Sequence, residues 1–142
     1  MKYKIFFILV FWGSIYPTYI LAAEKNEASP FVMQLTRSAE NYGHRRALMQ
    51  LDKSLSELGE NNIVVEVVAY EDGIHALLSD NELTSQLVLK LASRGVKFKV
   101  CRISMQSQGL DEDDFPMDVG FVHAGAPEVM RLQIAGYNYL RP

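Results

Sequence analysis

A chain of 142 residues has the length of one compact domain, and with 49% apolar residues it can fill a core. Seventeen Asp and Glu stand against fourteen Lys and Arg, for a formal net charge of -3, and the basic residues form no cluster. That balance excludes a protein built to hold a phosphate backbone, so nucleic acid is not an expected partner.

The first 23 residues read as an address. Lys2 and Lys4 form a short basic segment, Ile5 to Trp12 an apolar run, and Leu21-Ala22-Ala23 a small-residue cleavage site before Glu24. The apolar run is much shorter than the ~20 residues of a spanning helix, which suits a cleaved signal peptide over residues 1–23. The mature domain, 24–142, is then exported, with a periplasmic location expected. An uncleaved leader would act as an anchor and is the one membrane contact the sequence allows. Loss of Lys2 and Lys4 leaves twelve basic against seventeen acidic residues, moving the net charge from -3 to -5.

In the mature chain, Pro30 opens a strand over Phe31 to Leu35 whose two faces are both largely apolar, as in a strand covered on both sides. From Ala39 to Leu58, Leu48, Leu51, Leu55 and Leu58 recur at helical steps before Gly59, and the polar first turn, including His44, reads as surface. Ile63 to Tyr70 is β-branched nearly throughout, as a central parallel strand should be, with Glu66 its one discordant residue. A turn at Glu71-Asp72-Gly73 leads into a short helical piece through Ile74, Leu77 and Leu78. Asp80 or Asn81 is the expected cap of a second helix with Leu83, Leu87, Val88 and Leu91 as its buried stripe and Gly95 at its end.

Val96 to Val100 forms a third strand in which Lys97 and Lys99 share a face, the pattern of a partly exposed or near-edge strand. Cys101 follows, and Ser104 is placed to cap a short helix that reaches Gly109. The acids Asp111 to Asp114 lack the glycine and distant glutamate of an EF-hand loop and read as a capped turn with a solvated face. Val119 to His123 is a fourth strand. Pro127 suits the first position of a helix with Val129, Leu132 and either Met130 or Gln133 inward, and Tyr137 to Leu140 is a last short strand. The alternation predicts a single-domain α/β sandwich around a mostly parallel five-stranded sheet.

Ligands of open parallel sheets gather outside the carboxyl ends of the strands. Those ends carry Thr36 and Arg37, then Tyr70, Glu71 and Asp72, then Cys101, Arg102 and Ser104, then His123 and Gly125. Cys101 is the only cysteine, so it is buried and inert, paired with another chain, or kept as a working thiol. A helix start after Cys101 and the neighbouring Arg102 would both favour its thiolate. His123 is conceivable as its base, although packing or capping is the plainer role, and Tyr70 belongs to core or rim. His44, His75 and His123 are scattered without metal-site spacing, so no metal is expected, and no glycine-rich phosphate loop is present.

The runs Gly95-Val-Lys-Phe-Lys-Val-Cys101, Gly109-Leu-Asp-Glu-Asp-Asp and Ala126 to Pro142, together with Val64 to Tyr70 and Gly73-Ile74, resemble the DsrE/DsrF-like family, particularly its small exported members. The resemblance implies a small α/β sandwich that assembles as a homo-oligomer, trimer or hexamer. In the sulfur-relay members it also implies a cysteine after a central strand that carries sulfur as a persulfide. Cys101 occupies the matching position, with Arg102 and the helix near Ser104 stabilising its anion and Tyr70, Glu71 and His123 shaping access. Such chemistry needs no cofactor. The expected function is sulfur handling through one cysteine, by persulfide carriage or thiol exchange, which would make the protein a sulfurtransferase or sulfur carrier. The alternative is a non-catalytic oligomeric module that binds a small ligand or a protein and in which Cys101 is structural.

Overall fold

The β-branched run from Ile63 becomes the middle of the sheet. The computed structural model describes residues 27–37 and 43–142; the leader and the expected helix start at Ala39 to Tyr42 lie outside the described residues. The strands are β1 (Ser29–Leu35), β2 (Ile63–Ala69), β3 (Lys97–Cys101), β4 (Val119–Val122) and β5 (Asn138–Leu140). They alternate with α1 (Gly43–Leu58), α2 (Ser85–Ser93), α3 (Arg102–Gln108) and α4 (Gly125–Ile134), with 3₁₀ turns at Glu71–Leu77 and Glu112–Asp114. Every pairing is parallel and the strand order is β4-β3-β2-β1-β5. Among the described residues no helix is long and apolar enough to cross a membrane.

The order fixes the layers. From β1 to β4 the chain steps one way across the sheet, then returns past three strands to place β5 beside β1. Right-handed crossovers put helices of the outward path on one face and the helix of the return path on the other. Leu48, Leu51 and Leu55 of α1, Ile74 and Leu77 of the first 3₁₀ turn, and Val88 and Leu91 of α2 accordingly pack with Met33, Val67, Phe98 and Val100 on one face. Val129 and Leu132 of α4 pack with Val32 and Val68 on the other. Burying one such side chain is worth about 1.5–3 kcal/mol.

Several expectations are corrected. The third strand lies next to the edge strand β4 and keeps a partly exposed face as expected, but its lysines do more than reach water. They answer Glu66, which is 4% exposed on the α4 face. Lys99 Nζ lies 2.6 Å from Glu66 Oε2 and 2.7 Å from Glu128 Oε1, while Lys97 Nζ stands 3.7 Å from Glu66. Tyr137 donates its hydroxyl to Glu66 Oε1 at 2.9 Å, and Arg131 closes on Glu128 at 2.7 Å. Neither Asp80 nor Asn81 caps α2: Thr84 is the cap residue, and Asn81 Oδ1 instead accepts the Leu83 N–H at 3.1 Å. The helix therefore starts at Ser85, and Leu83 is 52% exposed. Met130 and Gln133 both face outward on α4, and Pro127 is its third residue. His44 is buried, with Nε2 bonded to the Arg37 carbonyl. The acidic run forms the expected capped turn, with the side chains of Asp111 and Asp114 bonding each other's backbone N–H.

Gly73 shows how closely the first 3₁₀ turn sits on β1. A Cβ there would lie 1.9 Å from the Leu35 carbonyl oxygen, so no other residue fits. This contact, with the Tyr70 N–H donating to the same oxygen at 3.0 Å, fixes where the β2 end delivers Tyr70 and Glu71.

The charge cluster predicts acid sensitivity. Arg131 and Lys99 overcome burial and hold the Glu128 carboxyl down at about 2; burial opposes, but Lys99 and Tyr137 outweigh it, in lowering that of Glu66. Depressed carboxylates give stability that is present above their ordinary value of 4.5 and is lost as pH falls toward about 2. Denaturant midpoints measured across that range should fall more steeply for the wild type than for Glu128→Gln. Parallel curves would contradict the cluster's role.

Candidate functional site

Strand β3 ends on Cys101 and α3 begins on the next residue, so Cys101 is itself the helix cap residue, with φ -76° and ψ 117°. The helix does not wait for Ser104 as a cap; Ser104 lies inside its first turn. By strand alternation Cys101 shares the α4 face with Lys99, and its backbone pairs with Val122 of β4. The side chain therefore sits between the first turns of α3 and α4.

Cys101 is 4% exposed. Burial alone raises a thiol's pKa, yet that of Cys101 is lowered from its ordinary value. The Ser104 hydroxyl and the backbone N–H groups of Ser104, Gly125 and Ile103 bring it down, each stabilising the anion. In the neutral form the thiol donates instead to the His123 carbonyl oxygen, at 3.8 Å.

The serine is kept available by its neighbour. The Glu71 N–H donates to Ser104 Oγ at 2.8 Å, which occupies a lone pair of the oxygen and leaves its proton for the sulfur. Gln108 Nε2 holds the Glu71 carbonyl at 3.0 Å. Glu71 has φ 50°, the one positive value at a non-glycine among the described residues, a conformation that costs of order 1–3 kcal/mol. The strained residue thus sits two hydrogen bonds from the thiol, through Ser104.

Tyr70 forms the wall. A Cβ on Gly125 would fall 2.6 Å from three Tyr70 side-chain carbons, so the tyrosine lies directly on the start of α4. Its hydroxyl donates to Gln34 Oε1 at 3.1 Å. Burial, followed by the charges of Glu71, Tyr139 and Cys101, pushes the phenol up.

The structure thus brings Tyr70, Glu71 and Ser104 to Cys101, Glu71 through its backbone. His123 contributes its carbonyl to Cys101 and is an exposed residue. Arg102 points elsewhere: its guanidinium pairs with Glu112 and lies 5.1 Å from the Phe121 ring centroid, so the anion's support comes from Ser104 and backbone N–H groups. Sequence reasoning missed Gln108, at the end of α3, and Gln34, on β1, whose bonds to Glu71 and Tyr70 carry no local signal.

Fold and site together define a small parallel α/β sandwich with one anion-stabilised thiol at an interior strand end. Residues 27–142 match the model of the DsrE/DsrF-like family, and the chain belongs to that family. Among solved structures it is similar to a protein of unknown function from Methanobacterium thermoautotrophicum, at 27% identity and a TM-score of 0.74, over 80% of this chain and 99% of that one. No curated protein matches it. Family membership points to a function of the sulfur-relay type, and the chain has one cysteine to serve it.

A hydrogen bond to a charged acceptor is worth about 1.5–3 kcal/mol, so Ser104→Ala should raise the Cys101 pKa by roughly one unit or more. The pH dependence of alkylation in wild type and variant measures this. An unchanged midpoint would remove Ser104 from the site.

Proposed function

We propose that the protein handles sulfur through Cys101. The observation that carries this reading is geometric: the Ser104 hydroxyl and the N–H groups of Ile103, Ser104 and Gly125 converge on a sulfur that is 4% exposed and lower its pKa, where apolar surroundings alone would raise it. The thiolate attacks the outer sulfur of a hydropersulfide donor, R–S–SH. The donor S–S bond breaks, R–S⁻ leaves, and Cys101–S–SH forms with the proton on its outer sulfur. An acceptor thiolate then attacks that outer sulfur, taking it as R′–S–SH and restoring the Cys101 thiolate. No electrons are gained or lost overall, and no cofactor takes part.

In this scheme the Ser104 hydroxyl and the N–H groups of Ile103, Ser104 and Gly125 stabilise Cys101 both as nucleophile and as leaving group. Tyr70 bounds the approach, and the small exposure restricts entry to slim donors and shields the sulfur from oxidants. The same burial argues against a disulfide between chains. It also favours the second reading, a binding module in which Cys101 is packing.

Export and self-association belong to the same proposal. The leader of residues 1–23 supports export. Support for a homo-oligomer of the trimer or hexamer kind comes from the α4 side, where Met130 is 62% and Ile134 87% exposed.

One set of mass measurements tests the proposal. After exposure to polysulfide, the mature protein should gain one sulfur that a thiol removes, and Cys101→Ala should gain none. The denatured mass should place the start at Glu24, and the native mass should be a multiple of the chain. No gain of sulfur, with alkylation of Cys101 only on unfolding, would contradict sulfur carriage and leave the binding module.

A further inference from the structure

We propose that a second site, separate from Cys101, lies in the cleft at the carboxyl ends of β1 and β5 and binds a small organic anion through Arg37, Arg46 and Arg141. The cleft encloses about 620 Å³, within the range of small-molecule sites of roughly 300–1,000 Å³. It sits where the topology reverses: β1 and β5 are neighbours, but α1 leaves β1 toward β2 on one face, while the chain reaches β5 through α4 on the other. A crevice at such a reversal is where open parallel sheets take their ligands.

The chemistry of the walls selects the ligand. Among the described residues three guanidinium groups line the cleft and no Asp or Glu does, in a chain whose acids outnumber its bases. Arg94, Arg102 and Arg131 each hold a carboxylate; among the described residues Arg37, Arg46 and Arg141 hold none. Guanidinium forks suit carboxylates and other oxyanions, which they bind with two parallel hydrogen bonds. Leu35 and the half-exposed Tyr139 ring add apolar wall, so the fitting ligand has an organic body as well as charge.

His44 belongs to the wall of the cleft. It lines the cleft at 4% exposure, and its Nε2 is committed to the Arg37 carbonyl. Its Nδ1 is buried with no hydrogen-bond partner among the described residues. With its proton on Nε2, the neutral ring leaves Nδ1 as an acceptor, so an oxyanion is held by the three guanidinium groups and not by His44.

The site is tested by calorimetric titration of the mature protein at low ionic strength with glutarate, a small dicarboxylate, and with inorganic sulfate. Glutarate should bind saturably and more tightly than sulfate. The exposed pair Arg46→Gln and Arg141→Gln, made together, should weaken glutarate by about tenfold or more, as loss of charge-assisted bonds implies, while the folded circular-dichroism spectrum is kept. Cys101→Ala should bind like wild type, which keeps this outcome distinct from that of sulfur transfer. The proposal is overturned if glutarate fails to saturate, if the double variant binds within roughly twofold of wild type, or if sulfate binds as tightly as glutarate.

Discussion

The sheet turns into a helix at Cys101 without a loop, and the site depends on that junction. Because β3 ends on Cys101 and α3 starts on Arg102, the sulfur is carried under the backbone N–H groups of Ile103 and Ser104, which have no carbonyl partner in the helix's own first turn. A loop of even two residues would move the side chain away from them. The same junction places Ser104 within reach of both the sulfur and the Glu71 N–H, and so ties the ends of β2 and β3 together.

The remaining donor, the Gly125 N–H, arrives on the other face, and its position depends on how α4 is seated. Only Val129 and Leu132 anchor α4 through apolar burial, which is little for a ten-residue helix. Charge does the rest: Glu128 of α4 meets Lys99 of β3, which meets Glu66 of β2. Breaking such a pair by removing one partner typically costs about 3–5 kcal/mol, whereas an apolar replacement of the whole set can be neutral. The cluster therefore specifies where α4 lies more than it stabilises the fold. Gly125 completes the fit, since only a residue without a side chain lets the start of α4 touch Tyr70.

Much of this was legible along the chain. The β-branched run of β2 announced a covered central strand, and the helices α1, α2 and α3 end at Gly59, Gly95 and Gly109 as the spacing required. What escaped reading is long-range. Lys97 and Lys99 marked a partly exposed, near-edge strand but not their partners, Glu66 and Glu128, which lie 31 and 29 residues from Lys97 and Lys99 in sequence. Leu83 fitted the periodicity of α2, but Asn81 turns the chain first and the helix begins too late to bury it. His44 looked polar and exposed because nothing in its own segment reveals that the Arg37 carbonyl awaits it. At the site, Cys101 and its strand-end neighbours were evident from topology, whereas the division of labour was not: Arg102 is engaged by Glu112, and uncharged donors stabilise the sulfur instead.

The most direct measurement is a titration of thiolate absorbance in the native protein, corrected with Cys101→Ala. The result expected is an ionisation below the ordinary cysteine value of about 8.5, moving up to that value when the protein is unfolded. A native midpoint at or above it would mean that burial, and not the converging N–H and hydroxyl donors, governs Cys101, and would contradict a working thiol at this position.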